Sequence, residues 1–231
     1  MELSQFTPGS ALVTVVMISL APFFAVMVTS FTKIAVVLSL VRNALGLQQV
    51  PPNVVINGLA LILTVYVMNP TLQEMYAASS GNNQAASTID GDEVPGTSPL
   101  ENTGDIFGMA DRAKEPLRAF LMKHSIPGER AFFLRTQQRI SGPEKAQSMK
   151  DSDFVILIPA FVVKELSDAF KIGFLIFLPF LIIDMVISNI LLAMGMMMLS
   201  PTTISLPFKI LLFVLVDGWV KLTHGLVMGY V

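Results

Sequence analysis

Charged side chains interrupt the apolar second half of this sequence, and their spacing suits ion pairing. Lys164, Asp168 and Lys171 follow at i, i+4 and i+7, so on a helix they alternate in sign along one face. Asp217 and Lys221 form a second pair at i, i+4. These charges could neutralise one another within each helix, or pair across subunits, because intramembrane charges typically face the interior of a bundle. The second interpretation predicts assembly contacts at Lys164, Glu165, Asp168, Lys171, Asp184, Asp217 and Lys221.

Insertion energetics separate these charges into two groups. A charged residue at a helix centre costs about 2.5 to 3.5 kcal/mol in a bilayer, and each Leu, Ile or Phe offsets about 0.3 to 0.6 kcal/mol. The apolar residues around Asp184 could carry it into lipid, whereas the charges within 164–171 would cost several times more. The apolar run 154–163 is too short to span by itself. The charged cluster is therefore predicted to be surrounded by protein and not by lipid.

A cluster of methionines lies between two hydrophobic stretches, in "AMGMMMLSP" (193–201). Gly195 and Pro201 break helices, so the cluster is predicted to form a turn. Core filling is one interpretation, because methionine adapts to irregular gaps. The other places several copies around an axis, where these side chains form a deformable apolar collar that excludes water and ions. The members of the cluster are Met194, Met196, Met197 and Met198.

The composition disfavours other chemistries. The chain has no cysteine, and isolated histidines such as His124 and His224 are more often packed or solvated than metal ligands. No P-loop pattern GxxxxGK[ST] is present, and a net charge of −2 gives no basic excess for nucleic acid. We predict no enzymatic activity, cofactor or metal. An intramembrane hydrolase would need a nucleophile with a base beside it, and no histidine lies near Ser167 in the sequence. The alternative function is an ion-coupled transporter or channel that uses Asp184 or Asp217 as a proton relay.

The elements that carry these residues are apolar helices. Hydrophobic residues make up 53% of the chain against 14% charged, and a mean hydropathy of +0.66 indicates a membrane protein. The stretches 11–28 and 54–68 qualify as membrane-competent helices joined by a turn rich in glycine and proline. Pro22 and Pro179 are expected to kink their helices. The N-terminus lacks the basic region of a signal peptide, so the first hydrophobic segment is expected to be retained.

A polar insertion, residues 70–153, separates the hydrophobic halves. Its first part, 77–104, carries acidic residues but no Lys, Arg or aromatic residue and is predicted to be disordered. Apolar residues at three- and four-residue steps predict an amphipathic helix over 105–124, and a second helix capped by Ser125 runs to about Ile140. Lys33 and Arg42 flank the turn that joins the apolar stretches 11–28 and 54–68, and the positive-inside rule places this turn in the cytoplasm. The insertion is therefore expected on the periplasmic side of the inner membrane.

Together these patterns predict an all-α, membrane-associated protein built from two helical hairpins. The N-terminal hydrophobic hairpin covers residues 1–69. The insertion covers 70–153, of which 105–150 are helical. The C-terminal hydrophobic hairpin, 154–231, carries the methionine-rich turn.

Three long blocks of the sequence resemble the FliP/SctR-type export-gate proteins of bacterial type III secretion systems. They are "SFTKIAVVLSLVRNALGLQQVPPNVVINGLAL" (30–61), "PAFVVKELSDAFKIGF" (159–174) and "FLPFLIIDMVISNILLAMGMMMLSP" (177–201). The likeness covers both hydrophobic halves and much of 105–153. Flagellar members usually carry a cleaved signal sequence, whereas this chain begins almost directly at its first hydrophobic block. This difference favours the injectisome branch.

The resemblance implies a function in protein export. Members of this family form a pentameric ring that joins the FliQ/SctS-type and FliR/SctT-type subunits in a conical, inner-membrane-associated assembly. Unfolded substrate proteins leave the cytoplasm through this portal, and other components supply the energy. The family's methionine-rich loop forms a gasket around the channel, and the matching residues here are Met194, Met196, Met197 and Met198. The resemblance thus implies export-gate subunits, secreted proteins and lipid as partners.

Overall fold

The computed structural model describes residues 8–47, 49–80, 103–141, 149–196 and 198–231. All regular elements in these ranges are helices, and no strand occurs in them, which confirms the all-α prediction. In chain order they are α1 (Pro8–Met27), α2 (Phe31–Ala44), α3 (Asn53–Ser80), α4 (Thr103–Lys123), α5 (Pro127–Ser141), α6 (Phe154–Ala193), α7 (Pro201–Leu215) and α8 (Gly218–Met228).

The chain divides into two compact units, and the long helices α3 and α6 each run from one unit into the other. Unit 1 comprises residues 1–64 and 165–231, and unit 2 comprises residues 65–164. Most of the segment predicted to be disordered, 77–104, lies outside the described residues. Its first residues belong to α3, which continues through Pro70 to Ser80.

Helix α2 forms the centre of the unit 1 core. Its buried residues Ile34, Val37, Leu38 and Val41 recur at i, i+3, i+4 and i+7, the pattern of a helix that buries one face. Gly173 lets α6 approach closely, because a Cβ there would lie 2.3 Å from Leu40. The same cluster includes buried residues of α3, α6, α7 and α8: Ile56, Ala60, Ala169, Phe180, Phe213, Leu222 and Leu226.

The turn between α2 and α3 has the predicted glycine stop. Gly46 adopts a left-handed φ of 79°, and its N–H bonds to the carbonyl of Asn43 at 3.0 Å. The Arg42 guanidinium donates to the Pro51 carbonyl at 3.3 Å and to the Asn53 side chain at 2.5 Å. These bonds fix the end of α2 against the start of α3.

Helix α6 is continuous over 40 residues, so the charged cluster that follows the short apolar run 154–163 lies within one helix. The charges do not break the helix because its backbone groups are satisfied internally and the side chains find partners elsewhere. By contrast, the chain bends by 60° between α7 and α8. Asp217 lies at this bend with a left-handed φ of 53°, so Asp217 and Lys221 do not share the continuous helix that their spacing predicts.

Unit 2 contains the amphipathic helices expected from the sequence. Helix α4 matches the prediction for 105–124, and α5 runs from Pro127 to Ser141, close to the predicted end at about Ile140. The sequence predicts that Ser125 caps α5. In the structure the Ser125 hydroxyl donates to the carbonyl of Met122 at 3.3 Å, at the end of α4. The rings of Phe120 and Phe161 lie 5.7 Å apart within the buried part of this unit.

Two of the described helices are long and apolar enough to cross a membrane. They are residues 53–79 of α3 and the whole of α6, and the bent pair α7–α8 would make a third. Only 11% of the most apolar window of α6 is buried within the chain. Such a surface requires lipid or other helices around it, and the chain is accordingly a membrane protein.

Candidate functional site

A buried ionic cluster joins three parts of unit 1 that are distant in sequence. The Lys33 ammonium on α2 lies 3.5 Å from the Glu165 carboxylate on α6, with side-chain exposures of 4% and 0%. The Tyr230 hydroxyl, just beyond α8, donates to the same carboxylate. The Lys33 ammonium also lies over the Tyr230 ring, 3.7 Å from its centroid. These contacts fasten α2, α6 and the end of α8 together.

The electrostatics of this cluster keep the phenol protonated. Burial raises the pKa of the Tyr230 hydroxyl well above its ordinary value, and the negative charge of Glu165 raises it further. Tyr230 therefore remains a hydrogen-bond donor to Glu165. A buried carboxylate requires such partners because an unpaired charge in the interior is very costly.

A second ionic cluster lies at the base of the α6–α7 hairpin. The Lys209 ammonium on α7 is 2.6 Å from the Asp184 carboxylate on α6, and it also donates to the Ala44 carbonyl at 3.4 Å. The Ser205 hydroxyl donates to the other oxygen of Asp184 at 2.5 Å. Lys209 therefore sits where the negative end of the α2 dipole favours a cation. This cluster fixes α6 to α7 and both to the end of α2.

The remaining predicted assembly contacts have different surroundings. Lys171 is exposed and pairs with half-buried Asp168 at 3.3 Å within α6, as neutralisation within a helix predicts. Lys164 is half-buried, whereas Asp217 and Lys221 are exposed. No ion pair joins Asp217 to Lys221 in the described ranges. A role in assembly stays a prediction for all seven charges, including Glu165 and Asp184, which pair across helices of one chain.

The methionine-rich loop joins the ends of α6 and α7 in a defined geometry. Gly195 takes a left-handed φ of 72°. Its N–H bonds to the Leu192 carbonyl at 3.0 Å, and the Met196 N–H bonds to the Leu191 carbonyl at 2.9 Å. This is the glycine-dependent helix ending known as the Schellman motif. Pro201 then opens α7, as expected for proline in a first helical turn.

The described methionines of this loop point away from the unit 1 core. Met198 is fully exposed, and Met194 and Met196 are 61% and 41% exposed. Met197 lies outside the described residues. Filling of a core within this chain therefore does not account for the described methionines. Asp184 lies ten residues before Met194, which is about 15 Å along a helix, so the second ionic cluster holds the hairpin that presents the loop.

Sequence reasoning missed the partners in both ionic clusters. Lys33 follows the apolar spacing of α2, since it lies four residues before buried Val37, and this pattern could have shown that it is buried. Lys209 lies among apolar residues, which is a weaker signal. Nothing local in the sequence connects Tyr230 with Glu165. Within the described part of the chain, no group of three or more His, Asp or Glu side chains could hold a metal ion.

Unit 1 also carries two open apolar grooves. The larger has a volume of about 500 Å³ and includes Leu47, Val55 and Trp219 in its walls. The smaller, of about 410 Å³, includes Pro179 and Lys221. Exposed apolar residues along α6 and these grooves define a helical membrane protein with extensive surface left for further helices or lipid.

Comparison with known proteins places this membrane protein in a family. The profile of the FliP family matches residues 13–226, and the chain belongs to that family. It is 50% identical over 214 residues to the Yop proteins translocation protein R of Yersinia pestis, covering 93% of this chain and 92% of that protein. It is 46% identical over 223 residues to the hypersensitivity response secretion protein HrcR of Ralstonia nicotianae, covering 96% and 97%.

A flagellar relative is also similar to the chain. The flagellar biosynthetic protein FliP of Bacillus subtilis is 42% identical over 212 residues, covering 92% of this chain and 87% of that protein. Names that refer to secretion, translocation or virulence nevertheless predominate among the relatives. These findings confirm the family resemblance and its injectisome branch.

Proposed function

We propose that this chain is the core export-gate subunit of a type III protein secretion apparatus. The observation that carries this proposal is similarity along almost the whole chain to proteins named for translocation and secretion. The function is to form the entry portal through which unfolded proteins leave the cytoplasm. The contribution of the chain is structural, and we propose no reaction chemistry for it.

The methionine-rich loop is proposed as the seal of this portal. Its described side chains are exposed at the end of a hairpin that is held by an ion pair between buried Lys209 and half-buried Asp184. A fixed base therefore carries an apolar tip with flexible side chains. Unbranched thioether side chains repack readily around irregular surfaces. A ring of such tips would exclude water when empty and reshape around a passing polypeptide.

Assembly into a ring is proposed from the unpaired apolar surface. The described faces of α3 and α6 expose many large apolar side chains, which homologous subunits and smaller export-gate subunits of the FliQ/SctS and FliR/SctT types would cover. The seven predicted charges would contribute at these interfaces, directly or by fixing the helices. The mass of the detergent-purified complex tests this proposal, with five copies expected.

The proposed location is the bacterial inner membrane, with the insertion on the periplasmic side. Apolar helices and Arg42 at the α2–α3 turn support this orientation. Arg135, exposed on α5, offers a labelling position. An Arg135→Cys variant should react with a membrane-impermeant thiol reagent added to spheroplasts, and reaction only after lysis would reverse the orientation.

Cross-linking to a trapped substrate tests the portal directly. The chain has no cysteine, so Met198→Cys introduces a single reactive thiol without background. A secreted protein fused to a stably folded domain should stall in the portal and cross-link to residue 198. Met228→Cys is the matched control, because Met228 on α8 is also exposed, at 71%. Equal cross-linking at both positions would count against the portal.

The ion-coupled transporter predicts a different result. It requires a carboxylate that gains and loses a proton, yet Asp184 is engaged by Lys209 and Ser205. Vesicles that contain only this chain should show no substrate-coupled proton flux under the export proposal. Coupled flux that disappears in Asp184→Asn would favour the transporter.

A further inference from the structure

The described methionines of the methionine-rich loop are much more exposed than a buried methionine of the same chain. Met198 is fully exposed, and Met194 and Met196 are 61% and 41% exposed, whereas Met68 on α3 is 3% exposed. Oxidation of methionine requires access of the oxidant to sulfur. The loop therefore concentrates oxidisable groups at one place.

We propose that the methionine-rich loop is a site of reversible oxidation by peroxide, and that oxidation opens the seal. This inference rests on the proposed function of the loop as a seal. A sulfur lone pair attacks one oxygen of hydrogen peroxide, the O–O bond breaks, and an S=O bond forms. The thioether loses two electrons, and the departing hydroxide takes the proton from the sulfur-bound oxygen and leaves as water. Methionine sulfoxide reductases reverse the change.

The physical consequence follows from the polarity of the product. A sulfoxide is polar and accepts hydrogen bonds, whereas the thioether is apolar. A hydrophobic constriction stays dry because water gains too little from entering it. Several sulfoxides in one ring would provide the missing hydrogen-bond partners, so water and small ions would enter.

The loop also differs from other exposed methionines. Met185 on α6 and Met228 on α8 are 58% and 71% exposed, but they lie on apolar helix faces. In a membrane assembly these faces contact lipid or neighbouring helices. The methionine-rich loop lies at the tip of the α6–α7 hairpin and, as a seal, must contact the aqueous conduit. Oxidation by an aqueous peroxide should therefore be selective for the loop in the assembled complex.

Peptide mass mapping of the assembled complex in lipid vesicles tests this selectivity. After a hydrogen peroxide pulse, Met194, Met196 and Met198 should gain oxygen about tenfold faster than Met68, because sulfur exposure governs the rate. Met228 should react more slowly than the loop. Equal rates at Met68 and at the loop would overturn the inference.

Dye leakage from the same vesicles tests the opening. Leakage of a small anionic dye should rise about tenfold on oxidation, because sulfoxides allow water into the seal. It should return to its starting value after treatment with both methionine sulfoxide reductases. Replacement of Met194, Met196 and Met198 by leucine should strongly reduce the response, while Met228→Leu should retain it.

The outcomes separate the two proposals. Vesicles that leak before oxidation would refute the seal itself. Vesicles that are tight before oxidation and stay tight after the loop is oxidised would refute the oxidative opening and leave the seal intact. An unchanged response in the leucine variant would show that oxidation acts elsewhere, which would also overturn the inference.

Discussion

The cluster of Lys33, Glu165 and Tyr230 leads to a quantitative prediction for the stability of unit 1. Lys33→Met removes an ammonium that lies 3.5 Å from a carboxylate with 0% exposure. Loss of one partner from a buried ion pair costs about 3 to 5 kcal/mol, because the remaining charge is still buried. Tyr230→Phe removes only the hydroxyl and keeps the ring beneath Lys33. Its expected cost is about 1.5 to 3 kcal/mol, that of a hydrogen bond to a charged group.

The single tryptophan provides the assay. Trp219 packs against Phe213 in unit 1, with ring centroids 5.4 Å apart, and its fluorescence should report unfolding of this unit. Denaturant titrations of the purified chain in mild detergent would give the free energy of unfolding of each variant. Tyr66→Phe is the control, because Tyr66 is 68% exposed and its hydroxyl should contribute less than about 0.5 kcal/mol.

A double variant separates pairing from packing. Lys33→Met combined with Glu165→Gln leaves no isolated charge in the cluster, so its cost should fall short of the sum of the two single variants by at least about 1 kcal/mol. Strict additivity would show that the two charges do not stabilise each other. A Lys33→Met variant as stable as Tyr66→Phe would refute the burial of this cluster.

Two further predictions concern the loops at helix ends. Gly195→Ala should destabilise unit 1 by about 1 to 2 kcal/mol, because Gly195 has a left-handed φ of 72°. Gly58 lies on α3, and a Cβ added there would meet no atom within 4 Å. Gly58→Ala should therefore stabilise unit 1 by about 0.5 to 1 kcal/mol. Shifts of the same sign in the tryptophan assay would contradict this reasoning. Arg130→Ala should accelerate amide hydrogen exchange at the α4–α5 turn about tenfold, because Arg130 donates to the Met122 carbonyl and the Ser125 hydroxyl at 3.1 and 2.9 Å. Exposed Arg135→Ala on α5 should leave exchange unchanged, and an equal effect of both variants would rule out this role of Arg130.

Helices with local signals could be predicted from the sequence. Helices α4 and α5 follow from apolar spacing, and the ends of α2 and α6 follow from Gly46 and Gly195. Helix α2 carries an equally clear apolar pattern, but the uncharged residues before it concealed the break at Val28–Ser30, where no glycine or proline occurs. The apolar pattern therefore indicates the buried face of this helix but not its start.

The ionic clusters could be predicted only in part. Spacing along one helix correctly indicates the pairing of Asp168 with Lys171. The partner of Glu165 lies on α2, far away in sequence, and the packing of three helices brings the two charges together. Because no local rule connects such residues, the sequence predicts protein around the charged cluster but does not identify the partner.

The methionine-rich loop shows the same division between local and assembled structure. Gly195 and Pro201 predict a turn, and the structure has that turn with exposed side chains. The environment that these side chains meet depends on the neighbouring subunits.

The most direct test is therefore an electron-microscopy map of the purified oligomer with its export-gate partners. The account predicts that Met194, Met196 and Met198 of every copy surround a central lumen. A map that places these side chains on the outer rim, in contact with lipid, would contradict it.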